Sequence, residues 1–357
     1  MIKRRAIRIL LGLAFAVLSA HAQEHGNAWD SAMNTGLDAL KKGQCVEAEK
    51  AFQEAVTLAG KLKKGQNDAQ FSMAFLLAAQ ACDAQGKGDE ADAEMLARRA
   101  TDDMDQALKD YHPEGNIHLF VNSQRAAVLF DQVGDIFAAY QKPLEAERSY
   151  QRVIELLNTS VQANEAAQQE GGGRNDKEEF AAFFLLVYTN PRHKLAAAEE
   201  KLAHLYFGER KYAEAAEAYE AARKIEEEAA RGHAPDGLES AKADEEYLAK
   251  HKDATAAESI RKSKEFEAAG EQKSRHDLAL TLSNLASCYA AQAKYDKAEP
   301  LYQRALALLE SASSMEKPEA INTMQLYALL LKKTGREEKA AAMLQQAAAL
   351  KEKTGQN

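Results

Sequence analysis

Cysteine, proline and tryptophan are scarce: three, six and one in 357 residues. Cys45, Cys82 and Cys288 lie too far apart for a zinc knuckle, which needs close pairs of ligands. Either two of them bridge in an oxidising compartment, or all three serve as small buried apolar residues. Few prolines, with abundant Ala, Leu, Glu and Lys, favour a chain that is helical almost throughout. No glycine-rich phosphate loop, nucleophile elbow or paired-histidine helix turn occurs, so neither catalysis nor a cofactor is indicated. His112 and His118 sit in a turn without metal-binding partners, and the acidic runs Glu226-Glu227-Glu228 and Asp244-Glu245-Glu246 read as solvated helix faces. Positive charge is also short: 46 Lys and Arg face 55 Asp and Glu, a net charge of −9. That sign repels nucleic acid and anionic lipid surfaces. Long apolar runs are missing as well. Ile9–Leu18 and the stretch around Phe180–Tyr188 fall short of the roughly 20 residues that cross a bilayer.

What is present begins with a leader. Lys3, Arg4, Arg5 and Arg8 precede the apolar run Ile9–Leu18, and Ala20-His21-Ala22 follows. Basic, apolar and small-x-small segments in that order predict a secretory signal peptide over 1–22, cut after Ala22. Its removal takes four basic residues and no acidic one, leaving a charge of −13. The signal looks bacterial, which places the mature chain in the periplasm or outside the cell, with no membrane insertion after cleavage.

The body of the chain is organised around Ala279–Glu310. Leu282, Leu285, Ala286 and Tyr289 share one helix face; after a polar turn at Lys294, Ala298, Leu301, Tyr302, Ala305 and Leu308 share another. Large-x-x-large-small-x-x-aromatic, followed by small, aromatic and small, resembles the tetratricopeptide repeat. The next start, Ile321, lies 42 residues on, longer than the usual repeat of about 34. That spacing is similar to the kinesin light chain type. The resemblance implies an all-α, right-handed superhelical solenoid of helix hairpins with a non-repeat helical insertion.

Read in order, the chain has an N-terminal repeat pair over 23–110 and a repeat over 116–157. The first repeat carries Ala32, Thr35, Gly36, Ala39, the turn Gly43, and Ala48, Phe52 and Ala55. Trp29 is expected to cover its open end. The second places Phe75, Ala78, Ala79 and Cys82 before the turn, with Ala91 and Met95 after it. Phe130, Val133, Gly134, Phe137, Pro143, Ala146, Tyr150 and Val153 mark the third. A polar loop with Gly171-Gly172-Gly173 and a greasy helix fill 158–195. Region 196–274 holds a repeat at Leu202, Ala203, Tyr206, Ala215, Tyr219 and Ala222. Glu199 in its first large slot suggests an exposed helix end, and a degenerate repeat with Ala257 in the small slot is expected behind it. A C-terminal pair occupies 275–357, its last member marked by Met324, Tyr327, Ala328, Leu331, Ala340, Leu344 and Ala347.

In this family the first helices line a concave groove that grips a peptide or a partner helix. The resemblance places Asp131, Asp135, Glu200, His204, Ser283, Ser287, Asn322, Gln325 and Leu329 there. It also puts Cys45 and Cys82 on stacked helices, where they either bridge or remain separate thiols. The expected function is a non-catalytic interaction scaffold. A subunit assembling a cell-envelope machine through Phe180–Tyr188, and an enzyme with a site in 158–274, are the alternatives. The last helix ends the solenoid without a polar cap, leaving Ala341, Ala348 and Met343 at an end where two chains could pair.

Overall fold

Six tight turns set the register of the whole chain. The computed structural model describes residues 27–61, 66–110, 116–169, 191–228 and 254–354. At Gly43, Gly88, Gln141, Arg210, Ala293 and Gly335 the backbone enters the left-handed region, with φ between 56° and 78°. The amide of the next residue then donates back to a carbonyl in the helix just ended: Gln44 to Ala39, Asp89 to Ala84, Lys142 to Phe137, Lys211 to Tyr206, Lys294 to Tyr289 and Arg336 to Leu331, each at 2.9 Å. This closure satisfies carbonyls that a helix end leaves without partners. It also fixes where the second helix begins. Ala48, Ala93, Ala146, Ala215, Ala298 and Ala340 donate its first backbone bonds, and each is fully buried.

The turns join helices in pairs. In the unit Met1–Pro191 these are α1 (Asn27–Lys41) with α2 (Cys45–Ala59), α3 (Gln66–Gly86) with α4 (Glu90–Asp110), and α5 (Asn116–Ala139) with α6 (Pro143–Gln169). In the unit Arg192–Asn357, α7 (Arg192–Gly208) pairs with α8 (212–228), α9 (Ala254–Ala291) with α10 (Tyr295–Ser311), and α11 (Pro318–Lys333) with α12 (Glu337–Thr354). No strand occurs among the described residues. The fold is all-α.

Inside four of the six pairs a small residue of the first helix meets an aromatic one of the second. Gly36 faces Phe52 so closely that a Cβ on it would lie 2.4 Å from the ring, and one on Gly134 would lie 2.6 Å from Tyr150. Ala203 with Tyr219 and Ala286 with Tyr302 repeat the arrangement in the second unit, all four fully buried.

Four sequence expectations need correction. In the second hairpin Ala91 and Met95 are not the inward slots: within the turn Gln85-Gly86-Lys87-Gly88, Gly86 ends α3 and Gly88 takes the left-handed position. The hairpin's slots are therefore Ala81, Ala93, Ala97 and Ala100, all buried, whereas Met95 is 49% exposed. Second, 158–169 is helix, not loop: α6 continues to Gln169 and buries Ser160 and Ala163. The buried face there is made of small residues, which is why it reads as polar. Third, α9 runs unbroken from Ala254 to Ala291, so no hairpin turn separates Ala257 from the repeat helix carrying Leu282 to Tyr289. Fourth, Trp29 is buried, its indole N–H donating to Ser72 Oγ at 2.8 Å with the Arg125 guanidinium 5.2 Å above the ring. The leader, the triple glycine, Phe180–Tyr188 and Asp244-Glu245-Glu246 lie outside the described residues.

Candidate interaction face

Three first helices of the second unit lie side by side. Thr281 of α9 donates to Glu200 of α7 at 2.5 Å, Asn284 meets His204 at 3.5 Å, and Thr323 of α11 donates to Ser283 at 3.0 Å. These lateral bonds consume several of the residues expected to face a ligand. Ser283 is buried at 3% exposure between α9 and α11, so it lines no groove. Glu200 is half-buried, and that burial raises its carboxyl above the usual range. Glu199 is not an exposed end: it is half-buried, and desolvation pushes its carboxyl up to about 7.

Asp135, His204 and Ser287 occupy one structural position, opposite the large residue of the second helix. Tyr150 donates its hydroxyl to Asp135 at 2.8 Å; the His204 ring stands edge-on to Tyr219 with centroids 5.5 Å apart; Tyr302 and Ser287 share a hydrogen bond of 2.9 Å. Where the facing residue is Leu344, which has no polar atom, the position holds Leu329. Buried tyrosine hydroxyls need partners. Asp135 and Ser287 thus do hairpin work first and are half-buried, while His204 and Leu329 keep exposed surface. Asp131, in the first unit, is half-buried.

What stays open is narrower than expected and nearly neutral. Asn322, Gln325 and Leu329 are exposed along α11, and His204 on α7 is exposed with its imidazole pushed towards neutrality by partial desolvation. Asn284, half-exposed between them, was missed because it lies one residue outside the repeat's usual spacing on α9.

On the second-helix side of the same unit, a depression of about 280 Å³ is walled by Glu299, Gln303, Tyr327, Leu331, Arg336 and Met343. Its polar groups satisfy one another. Arg336 clamps both oxygens of Glu299 at 2.5 and 2.8 Å, the Tyr327 hydroxyl donates to Glu299 at 3.0 Å, and the Gln303 amide donates to that hydroxyl at 2.9 Å. The guanidinium holds the Glu299 carboxyl below the usual range. This ion pair is braced structure. Among the described residues, no three His, Cys, Asp or Glu side chains converge as metal ligands, and no helix is long and apolar enough to cross a membrane. At the chain's end Ala341 and Ala348 are exposed and Met343 is half-buried.

In the first unit Cys45 of α2 and Cys82 of α3 are joined by a disulfide, with Cα atoms 5.6 Å apart. Cys288 is a buried thiol, its ionisation pushed up to about 12 by desolvation.

No curated protein matches the chain in sequence. Among solved structures, the nearly identical TPR-like repeats of a kinesin light chain-type protein from Podosopora anserina are 16% identical, over 79% of this chain and 95% of that one, at a TM-score of 0.44. BtubC (BKLC) from P. vanneervenii is 14% identical over 88% and 93%, also at 0.44. Aspartyl phosphate phosphatase F from Bacillus subtilis is 11% identical over 93% and 76%, at 0.40. The family model of the tetratricopeptide repeat matches residues 277–353. That match falls on the last two helix hairpins, α9 with α10 and α11 with α12, which are tetratricopeptide-like; the other hairpins share their turn geometry.

Proposed function

We propose that this chain is a non-catalytic scaffold of the bacterial periplasm or cell exterior that grips an extended peptide or a partner helix on α7, α9 and α11. Repeats of this kind typically serve protein–protein interaction, because stacked hairpins present a long continuous surface. The observation that carries the reading is the exposed row Asn322, Gln325 and Leu329 beside Asn284 and His204. Amides can both donate to and accept from an extended backbone, and Leu329 offers an apolar anchor. The face carries little charge, which favours a neutral ligand over an acidic or strongly basic one.

Export is supported by the basic-apolar-small order of Met1–Ala22 and by the Cys45–Cys82 bridge, since disulfides persist mainly in oxidising compartments. Mass determination of the protein recovered from envelope fractions should find Gln23 as its first residue. An intact Met1 in the cytosol would sink the localisation.

Peptides selected from a random display library on the full chain test the face itself. Replacing Asn322 and Gln325 together by Ala should weaken the selected peptides by about tenfold, roughly 1.4 kcal/mol. Asn34→Ala in the first unit should not. Peptides indifferent to the α11 changes would move the site elsewhere. The exposed Ala341 and Ala348 add a surface through which two chains pair. Ala341→Glu with Ala348→Glu then lowers the mass seen by light scattering, and a wild-type monomer at every concentration removes this role.

A further inference from the structure

Two carboxyl groups, one half-buried and one buried, face Thr281 where α7, α8 and α9 join. Glu200 comes from α7 and Glu226 from α8, and between them Thr281 of α9 is fully buried. The hydroxyl of Thr281 has one proton, and it is donated to Glu200 Oε1 at 2.5 Å. Glu226 is only 9% exposed, and its buried Oε2 has no hydrogen-bond partner. It is not the solvated acidic residue that its sequence neighbourhood suggests.

Compensation by positive charge is weak. Lys273 of α9 acts on both carboxyls, but its side chain is 77% exposed and its ammonium pairs with Asp277 at 2.7 Å. Arg223 of α8 and Arg304 of α10 hold Glu227, the outward neighbour, at 3.0 and 2.5 Å. Asp277 adds further negative charge from α9. A buried carboxylate beside a half-buried one, with only an exposed lysine to offset them, resists ionisation, because desolvation and mutual repulsion disfavour the second charge.

We propose that Glu226, buried near Glu200 with an unpartnered carboxyl oxygen, holds a proton, and that this proton latches α8 against α7 and α9 and is released as the solution turns alkaline. Burial first, then the Glu200 and Asp277 charges, pushes Glu226 up to about 8, with Thr281 and Lys273 opposing. Glu200 moves the same way, again chiefly by burial. Of the remaining titratable groups, His204 and Tyr219 lie towards Glu200, and Glu199 is its chain neighbour. Glu199 sits near 7 through desolvation alone, and burial moves His204 down and Tyr219 up, each towards its uncharged form.

The sign follows directly. A carboxyl whose folded value exceeds its unfolded value of 4.5 contributes fully below that value. Its contribution shrinks as pH rises towards 8 and is gone above. Glu227, held below its ordinary value despite partial burial, has the opposite sign and acts at lower pH.

Thermal unfolding of the full chain between pH 5.5 and 8.5 tests the latch, read by far-ultraviolet circular dichroism. The second unit's midpoint should fall by about 5 °C across that range in the wild type. Glu226→Gln should cut the fall to half or less and melt above wild type at pH 8.5. Glu199→Gln measures the separate share of that residue. Glu200→Gln is the second latch variant should Glu226→Gln fold poorly. Calorimetry at pH 7.5 in buffers of different ionisation enthalpy should find about one more proton released on unfolding by wild type than by the latch variant. A pH slope unchanged in both Gln variants, or no extra proton, overturns the proposal.

Discussion

α3 and α11 are both first helices of the same kind of hairpin, yet one is submerged and the other is surface. From Phe71 to Ala84, only Met73 of α3 is exposed. On α11, Asn322, Gln325, Leu329 and Lys332 all reach solvent. The sequence of α3 is apolar on every side, which suits a helix surrounded by neighbours; α11 keeps a polar stripe. The first unit also spends its inner residues on itself. Arg125 of α5 pairs with Asp30 of α1 at 2.7 Å and lies over Trp29, while the disulfide ties α2 to α3. One hairpin design therefore supports a closed bundle or an open face, depending on residues outside the hairpin interface.

Breaking the disulfide should expose the contrast most strongly. Cys82→Ser, or reduction, should cost the first unit about 3–4 kcal/mol, because the bridge closes a long loop in the unfolded chain. Trp29 is the single tryptophan and lies in that unit, so its fluorescence midpoint should fall. Second-unit circular dichroism should not move. A shared loss would mean the two units unfold as one.

Ala305→Phe reverses the test. Ala305 is fully buried against Leu278, Leu282, Leu309 and Ala320. A ring there overpacks the contact by about 1–3 kcal/mol or more. Circular dichroism should show early melting of the second unit while the Trp29 signal stays at its wild-type midpoint.

Arg125→Ala is a smaller change, roughly 1–2 kcal/mol from a cation–π contact and a half-buried ion pair. Its value lies in access: iodide should quench Trp29 more strongly once the guanidinium is gone. Unaltered quenching would show that other groups cover the ring.

The gentlest test should stabilise. Ala293 holds a left-handed turn at φ 57°, where glycine is at ease and alanine strained. Ala293→Gly should raise the second unit's stability by up to about 1 kcal/mol. Gly43→Ala should lower the first by a similar amount, since Gly43 sits at φ 69°. Equal midpoints across all four proteins would deny the turns any part in setting register.

Much of this could be read without coordinates. Small residues facing aromatics at fixed spacing identify the hairpins, because close helix approach tolerates nothing larger at Gly36, Gly134, Ala203 and Ala286. The candidate face was legible only in part. Asn322, Gln325 and Leu329 are exposed, but Ser283 disappears between two helices, and Asp135 and Ser287 serve tyrosine hydroxyls. Periodicity places a residue on a helix face; it does not say which neighbouring helix covers that face.

The same distinction separates the two kinds of knowledge about this protein. Composition and spacing by themselves determined an all-helical chain of paired helices, because burial of one face per helix is a local, periodic requirement. Which of two glycines closes the second turn, whether Cys45 meets Cys82, and how Glu226 comes to lie beside Glu200 were decided by tertiary structure. Those outcomes depend on contacts between residues distant in sequence, and no local pattern encodes the distance between them.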